Sequence, residues 1–407
     1  MTIKMKIPVS HLFLGSLFYL APIFDCLTGL LVLGGTLMEG AAGSPSQLFR
    51  FILMFGMFFY LIPHKKYFFL TILLFFYFLL VEAVGFIFHK SLYGVVVGIV
   101  YSSKIVYLTM IFFIFKSLLN NNSISYDQLT KYLKNGVFIS SLLLIAPFIF
   151  GLGYNTYVEG TFGVKGFFSS GNGLGVFLGC GLLFMSYSLK SDKSNYGILK
   201  TIIVLFATLI VGSKTTIICV GVSLIYLVFF VFNKKTSLTI ALLVTIFVFY
   251  YFPLIKSGLE TVFDVVLFRY KNSDSFLTFL MSERDVYFID AITNLETNGV
   301  YALRLITGLG ALISFRSPHV NFNSIDTLES DLTDLIFTYG IISVLVYLGW
   351  AIYLHYQYIS KRLFFGIIFT LLILHSVLAG HILFNGMSGV LLPTFSLLIL
   401  ESQRVKN

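Results

Sequence analysis

Charge is what this chain has least of. Asp, Glu, Lys and Arg make up 11% of its 407 residues, and only 18 are carboxylates. A soluble domain of this length cannot keep its surface wet on so little charge, which excludes a soluble enzyme with an anchor. Cysteine is as scarce: Cys26, Cys180 and Cys219 all fall in apolar runs, and no pair has metal or redox spacing. A disulfide framework is therefore excluded, and with no His or Cys cluster there is no zinc signature and no metal is expected. No Gly-x-x-x-x-Gly-Lys-Ser/Thr loop occurs either, so ATP-driven chemistry by this chain alone is not expected.

Apolar length is what the chain has in excess. It is 57% hydrophobic, with 46 Phe and 24 Tyr, and its mean hydropathy is +0.93. Twelve spans can be marked, at about His11–Gly35, Leu48–Ile62, Phe68–Phe88, Val95–Phe115, Gly136–Leu152, Asn172–Leu189, Ile198–Gly212, Thr215–Phe232, Leu238–Leu254, Leu332–Tyr353, Leu363–Gly380 and Asn385–Leu400. The expected fold class is an all-α polytopic membrane protein of about twelve transmembrane helices, in one membrane-embedded domain over residues 1–407. The first span follows a short basic stretch but ends without a small-residue cleavage site, so it is read as retained rather than as a signal peptide.

The cations then orient the chain. With a cytoplasmic N-terminus, inner loops and tails hold sixteen of the 27 Lys and Arg, among them Lys65, Lys66, Lys234, Lys235, Lys361 and Arg362. The positive-inside rule places both termini in the cytoplasm. A formal charge of +9 thus reports membrane orientation, and no nucleic-acid partner is expected. Five of the seven arginines nevertheless fall on the other side. A cation at mid-membrane costs about 2.5 to 3.5 kcal/mol on insertion scales, and an anion on the outer face is a reason to keep them. Within spans, Lys104 and Glu82 are the only clear charges.

Most connections are short, but Ile255–Asp331 is a long extracytoplasmic loop between spans nine and ten, of the kind that carries function or structure of its own. Ser282-Glu283-Arg284-Asp285 fits a capping box, Val286, Ile289, Ile292 and Leu295 recur at near-helical spacing, and Asn298-Gly299 closes the helix. Tyr301–Ile313 is an apolar patch that either lies on the bilayer or packs on the bundle.

Several residues carry candidate chemistry. Arg284 near a helix start joins a guanidinium to free backbone N–H groups, a bidentate phosphate site, with a salt bridge to a loop carboxylate as the structural alternative. His319 is a candidate proton carrier or simply a solvated loop histidine. Asp326, Glu329, Asp331 and Asp334 crowd the start of the tenth span; helix capping accounts for several, and one is a candidate general base. Gly171, Gly175 and Gly179, four apart, suit close helix packing, whereas Thr161–Asn172 reads as unwound polar backbone lining a cavity. The turn Gly212-Ser213-Lys214-Thr215 pins Lys214 at the surface.

In their order along the chain, these features resemble the O-antigen polymerase and O-antigen ligase superfamily. The resemblance rests on twelve spans, the Gly-Thr-Phe-Gly segment at 160–163 and the Ser-Gly-Asn-Gly-Leu-Gly segment at 170–175 leading into the sixth, the Gly-Ser-Lys-Thr turn, the long outer loop, and Glu329-Ser-Asp331 running to Tyr339-Gly340-Ile-Ile. It implies a GT-C-like membrane glycosyltransferase, a polysaccharide polymerase whose donor is a polyprenyl-pyrophosphate-linked glycan, with no nucleotide sugar, metal or other cofactor. It assigns the pyrophosphate to Arg284 and more weakly to Arg304 and Arg316. Lys165 and Lys214 stand where many relatives have arginine, and lysine lacks the bidentate fork. Asn172 joins them as a candidate substrate contact. Glu329, Asp331 and His319 are the candidate catalytic residues, although His319 lacks the Asn-Thr pattern that follows the ligase histidine. The expected partners are the lipid-linked glycan, membrane lipid and a chain-length regulator protein, and the expected location is the bacterial cytoplasmic membrane. Alternatives are a ligase acting on lipid A core and, outside enzymes, a polysaccharide flippase or transporter.

Overall fold

The computed structural model describes residues 8–37, 43–156, 163–191, 194–233, 270–271, 273, 275–281, 284–298, 301–312, 328–359 and 363–401. The protein is an all-α polytopic membrane protein. Its long helices are α1 (Val9–Leu33), α2 (Pro45–Leu61), α3 (Lys65–His89), α4 (Leu92–Asn120), α5 (Tyr126–Ile149), α6 (Gly171–Ser188), α7 (Asn195–Val211), α8 (Lys214–Val231), α12 (Asp331–Ile359), α13 (Leu363–Ala379) and α14 (Leu391–Glu401). Between α8 and α12 lie the shorter α9 (Phe276–Met281), α10 (Arg284–Asn298) and α11 (Tyr301–Thr307). Each sequence span has its helix except Leu238–Leu254, which lies outside the described residues.

Two boundaries differ from the sequence reading, each for a local reason. The stretch Asn120–Tyr132 reads as a polar loop, yet α5 already begins at Tyr126. Ser125 and Gln128 form a reciprocal capping box: the Ser125 N–H donates to Gln128 Oε1 at 2.8 Å and the Gln128 N–H to Ser125 Oγ at 3.1 Å. The last helix begins at Leu391 rather than Asn385, because Asn385 Oδ1 captures the N–H groups of Met387 and Ser388 at 2.9 and 3.2 Å and holds the backbone in a turn. Its 11 residues cover only about 16 Å, roughly half of a hydrocarbon core. Non-helical backbone fills the remainder at 380–390, a situation tolerated where protein buries it, and Ile382, Leu383 and Met387 are indeed buried.

The chain forms two compact units, residues 1–136 with 284–407, and residues 137–283. In the first, α3 packs along α4 and α11 along α12, while Phe69, Leu73, Phe76, Leu80 and Ile87 of α3 stay exposed, as lipid-facing positions do. The apolar patch after α10 packs on the bundle: Leu309, Ala311 and Leu312 are buried, Gly85 of α3 meets the Leu309 carbonyl, and Glu82 accepts the Ala311 N–H at 3.3 Å. Charges inside the spans are more numerous than Lys104 and Glu82. Asp25 of α1 and Arg50 of α2 also lie within the bundle, and they pair with each other.

In the second unit α6 is the core, buried from Gly173 through Ser186. Its Gly175 and Gly179 face the start of α8 and its cap, where a Cβ would come within 2.9 Å of Ser213 Oγ and of Cys219 Sγ, so a larger residue would force those side chains to move. A two-stranded antiparallel hairpin, β1 (Tyr154–Asn155) and β2 (Val164–Gly166), precedes α6. Thr156 fastens it to the end of α7 by donating to the Val211 carbonyl at 2.9 Å.

Candidate functional site

Arg284 opens α10, and its side chain turns to the residues just before α12. Its Nε donates to the Glu329 carbonyl at 2.7 Å and its Nη2 to Glu329 Oε2 at 2.9 Å. The pair joins residues 45 apart in sequence. It is asymmetric: the arginine side chain is 8% exposed and the glutamate 43%. A buried guanidinium therefore orients a carboxylate that is itself partly exposed. Glu329 itself has φ +58, a region that costs a non-glycine residue energy and is found disproportionately at functional positions.

Asp331, two residues on, does something else. It is fully buried, and its Oδ2 accepts from Ser376 Oγ at 2.7 Å, from the Ile382 N–H at 3.0 Å and from the Leu383 N–H at 3.1 Å. Ser330 Oγ adds a bond to the Val377 carbonyl at 2.7 Å. The start of α12 is thus pinned to the end of α13 and to the non-helical 380–390 segment. Gly380 lies so close that a Cβ would stand 2.7 Å from the Glu329 carbonyl oxygen, and its φ is +63; only glycine meets both conditions. This brings His381 beside the pair, within electrostatic reach of Glu329, Arg284 and Lys104.

Arg304 is held elsewhere in the same unit. The helix α12 breaks at Gly340 (φ 76, ψ 175), which takes the carbonyls before the break out of the helical ladder. Each finds a donor from another element: Arg304 Nε reaches Phe337 at 2.9 Å, the Gly310 N–H reaches Thr338 at 3.1 Å, and the Tyr77 hydroxyl reaches Tyr339. Arg304 is fully buried in this seal. Asp334 caps locally, taking the Leu328 N–H on Oδ1 at 2.7 Å.

Lys165, Asn172 and Lys214 belong to the second unit. Lys165 Nζ donates to the Ser169 carbonyl at 3.0 Å. Lys214, at the start of α8, donates to the Phe279 carbonyl at 2.9 Å with its ammonium 4.6 Å from that ring's centroid. Asn172 is half-buried in the first turn of α6, whose cap is Ser170 accepting the Gly173 N–H at 3.1 Å. His319, Arg316 and Asp326 lie outside the described residues, as do Ser282 and Glu283 of the capping box.

Of the expected residues, the structure therefore joins Arg284, Glu329 and Asp331, and it adds His381, while Arg50, paired with Asp25, lies against Gly386 of the 380–390 segment. A signal for the 380–390 segment was present in the Asn385-Gly386 dipeptide and Gly389 inside an apolar run, since Asn-Gly marks a turn.

Residues 10–262 match the family model described as O-antigen ligase like membrane protein. That is more than half of the chain. The protein belongs to this family. No curated protein matches the sequence. As an O-antigen ligase like membrane protein it is a multi-pass membrane enzyme that processes glycans and takes part in O-antigen or related polysaccharide assembly. The matched stretch holds Arg50, Lys104, Lys165, Asn172 and Lys214, whereas Arg284, Glu329, Asp331 and His381 follow it.

Proposed function

We propose that this family member is a polysaccharide polymerase of the bacterial cytoplasmic membrane, with both termini cytoplasmic. It moves a growing glycan from polyprenyl pyrophosphate to the non-reducing sugar of another lipid-linked repeat unit on the outer face. The observation that carries the reading is the Arg284–Glu329 pair: a buried cation fixing a carboxylate that is 43% exposed. A lipid pyrophosphate leaves readily once its charge is met, so the enzyme chiefly needs a cation at the leaving group and a base at the acceptor hydroxyl. Arg284 faces the first task and Glu329 the second, while Asp331 keeps the 380–390 backbone against both. Lys165, Lys214, Asn172, Arg316 and His319 are the further candidates for gripping the substrate or relaying its proton, and a chain-length regulator is the candidate protein partner.

The family's description favours a second reading, transfer of finished glycan to lipid A core. A deletion strain separates the two: lipid A core carrying a single repeat unit supports polymerisation, and core carrying none supports ligation. Purified protein given only the lipid-linked repeat unit should also form polymer with a chelator present and no nucleotide. Activity restored solely by a divalent metal would overturn the metal-free mechanism.

A further inference from the structure

Among the described residues of the first unit, Lys104 is a cation that nothing neutralises by contact. It lies near the middle of α4, roughly 18 Å from the helix start at 1.5 Å per residue. Its Nζ stands 5.0 Å from the centroid of the Tyr101 ring, and no hydrogen bond or ion pair to a described residue engages it. The arginine next to it, Arg50, is paired with Asp25, and Arg284 is paired with Glu329. Arg50 is near enough to repel it, and the carboxylate that attracts it, Asp334, already caps Leu328. An ammonium left in this state inside a membrane bundle is a poor structural choice.

Its position relates it to the site. Phe384 of the 380–390 segment stacks on Tyr101 with centroids 4.3 Å apart, and Tyr101 carries Lys104 over its ring. Gly380, at the start of the same segment, lies on Glu329. His381, between these contacts, feels both Lys104 and Arg284. One short stretch of backbone therefore has the Arg284–Glu329 pair against one part and the Tyr101–Lys104 pair against another.

We propose that Lys104 is a second catalytic cation, which meets the departing diphosphate from the α4 side. The inference rests on the transfer reaction above. In that step the acceptor hydroxyl oxygen bonds to the anomeric carbon of the donor and the bond from that carbon to the diphosphate oxygen breaks. The electron pair leaves with the diphosphate, and the hydroxyl proton passes to Glu329. The diphosphate gains one negative charge as it leaves. Arg284 already has a carboxylate partner, whereas Lys104 can place its compact charge and three donors on phosphate oxygens without giving up an existing pair.

The test uses the full-length protein in detergent, with Lys104→Met, Lys104→Arg and Arg284→Ala beside the wild type. Two readouts are needed: polymer formation from lipid-linked repeat units, and binding of farnesyl diphosphate compared with farnesol. Lys104→Met should keep its thermal midpoint, lose activity on the order of a hundredfold, and bind farnesyl diphosphate about tenfold more weakly with farnesol unaffected. Lys104→Arg should recover much of the binding. Normal polymerisation and diphosphate affinity in Lys104→Met would overturn the proposal and leave the polymerase reading standing. If the wild type binds the diphosphate through Lys104 yet forms no polymer, the cation site stands and the polymerase reading falls. A wild type that binds no diphosphate would sink both.

Discussion

Arg284 and Arg304 come from one interhelical stretch, sit on neighbouring helices and look equivalent in sequence, yet the fold uses them in different ways. Arg284 makes an ion pair whose carboxylate is partly exposed, which is why the proposed reaction is built on it. Arg304 is wholly enclosed and donates to the Phe337 carbonyl at the break in α12. There it completes a helix rather than a reaction. The two differ in partner: Arg284 bonds both the carbonyl and the partly exposed carboxylate of Glu329, whereas Arg304 bonds a carbonyl released by a kink.

The comparison can be broken by exchanging the two outcomes. Arg284→Ala should show the largest effect on rate, losing roughly 3 to 4 kcal/mol of transition-state stabilisation, or a few hundredfold per folded molecule. Its thermal midpoint should fall less, by about 1 to 2 kcal/mol of stability, because the Glu329 carbonyl loses its donor. Arg284→Lys should stay strongly impaired for want of the planar fork. Cells would display short glycans, and normal chain lengths in both variants would reduce Arg284 to a structural ion pair.

Arg304→Ala should do the reverse. Emptying a fully buried site and orphaning the Phe337 carbonyl costs about 3 kcal/mol of stability, seen as a lower midpoint in detergent, with activity per folded molecule retained. A variant that is stable but inactive would move Arg304 to the substrate side. Asp331→Asn sharpens the picture next. The amide keeps an acceptor for Ser376, Ile382 and Leu383 but loses the charge, so stability should fall by about 1 to 2 kcal/mol. Protease sensitivity within 380–390 should rise with it, and unchanged sensitivity would show that Asp331 does not hold the segment. Lys165→Ala should cost least, under about 1 kcal/mol for one hydrogen bond from a half-buried lysine; a larger drop in midpoint would mean that the hairpin depends on it.

The helices were legible because lipid-facing and core-facing residues are both apolar, so each span reads as a run of hydrophobicity whatever it packs against. The same uniformity hid the end of the chain. From Asn385 to Leu400 the sequence is apolar enough for one span, and only the Asn-Gly pair and Gly389 mark the part that is not helical. At the site, Arg284 and Glu329 could be named singly, since an outer-loop arginine and a carboxylate at a helix start each have a chemical rationale. Their pairing could not be read, because they are 45 residues apart and no helical or strand period links such positions. The pairing of Asp25 with Arg50 is hidden for the same reason: each interrupts an apolar run alone, and only the packing of α1 on α2 brings them together. Gly340 showed as a glycine near a span start, but nothing local predicts that Tyr77, from α3, would serve the carbonyl beside it.

The broken helix has a further meaning for how the molecule is made. Tyr77, Arg304 and Gly310, the three donors at the break in α12, all precede the carbonyls they serve, so during synthesis that helix meets partners already in place. Asp331 is the opposite case: Ser376, Ile382 and Leu383 all follow it. Its carboxylate must wait for its donors until α13 has emerged and the chain has turned back. The two sides of one helix are thus finished at different times. A chain ending near residue 370 would hold the donors of the α12 break but lack every partner of Asp331, and the contacts around Glu329 would form only with the last few dozen residues.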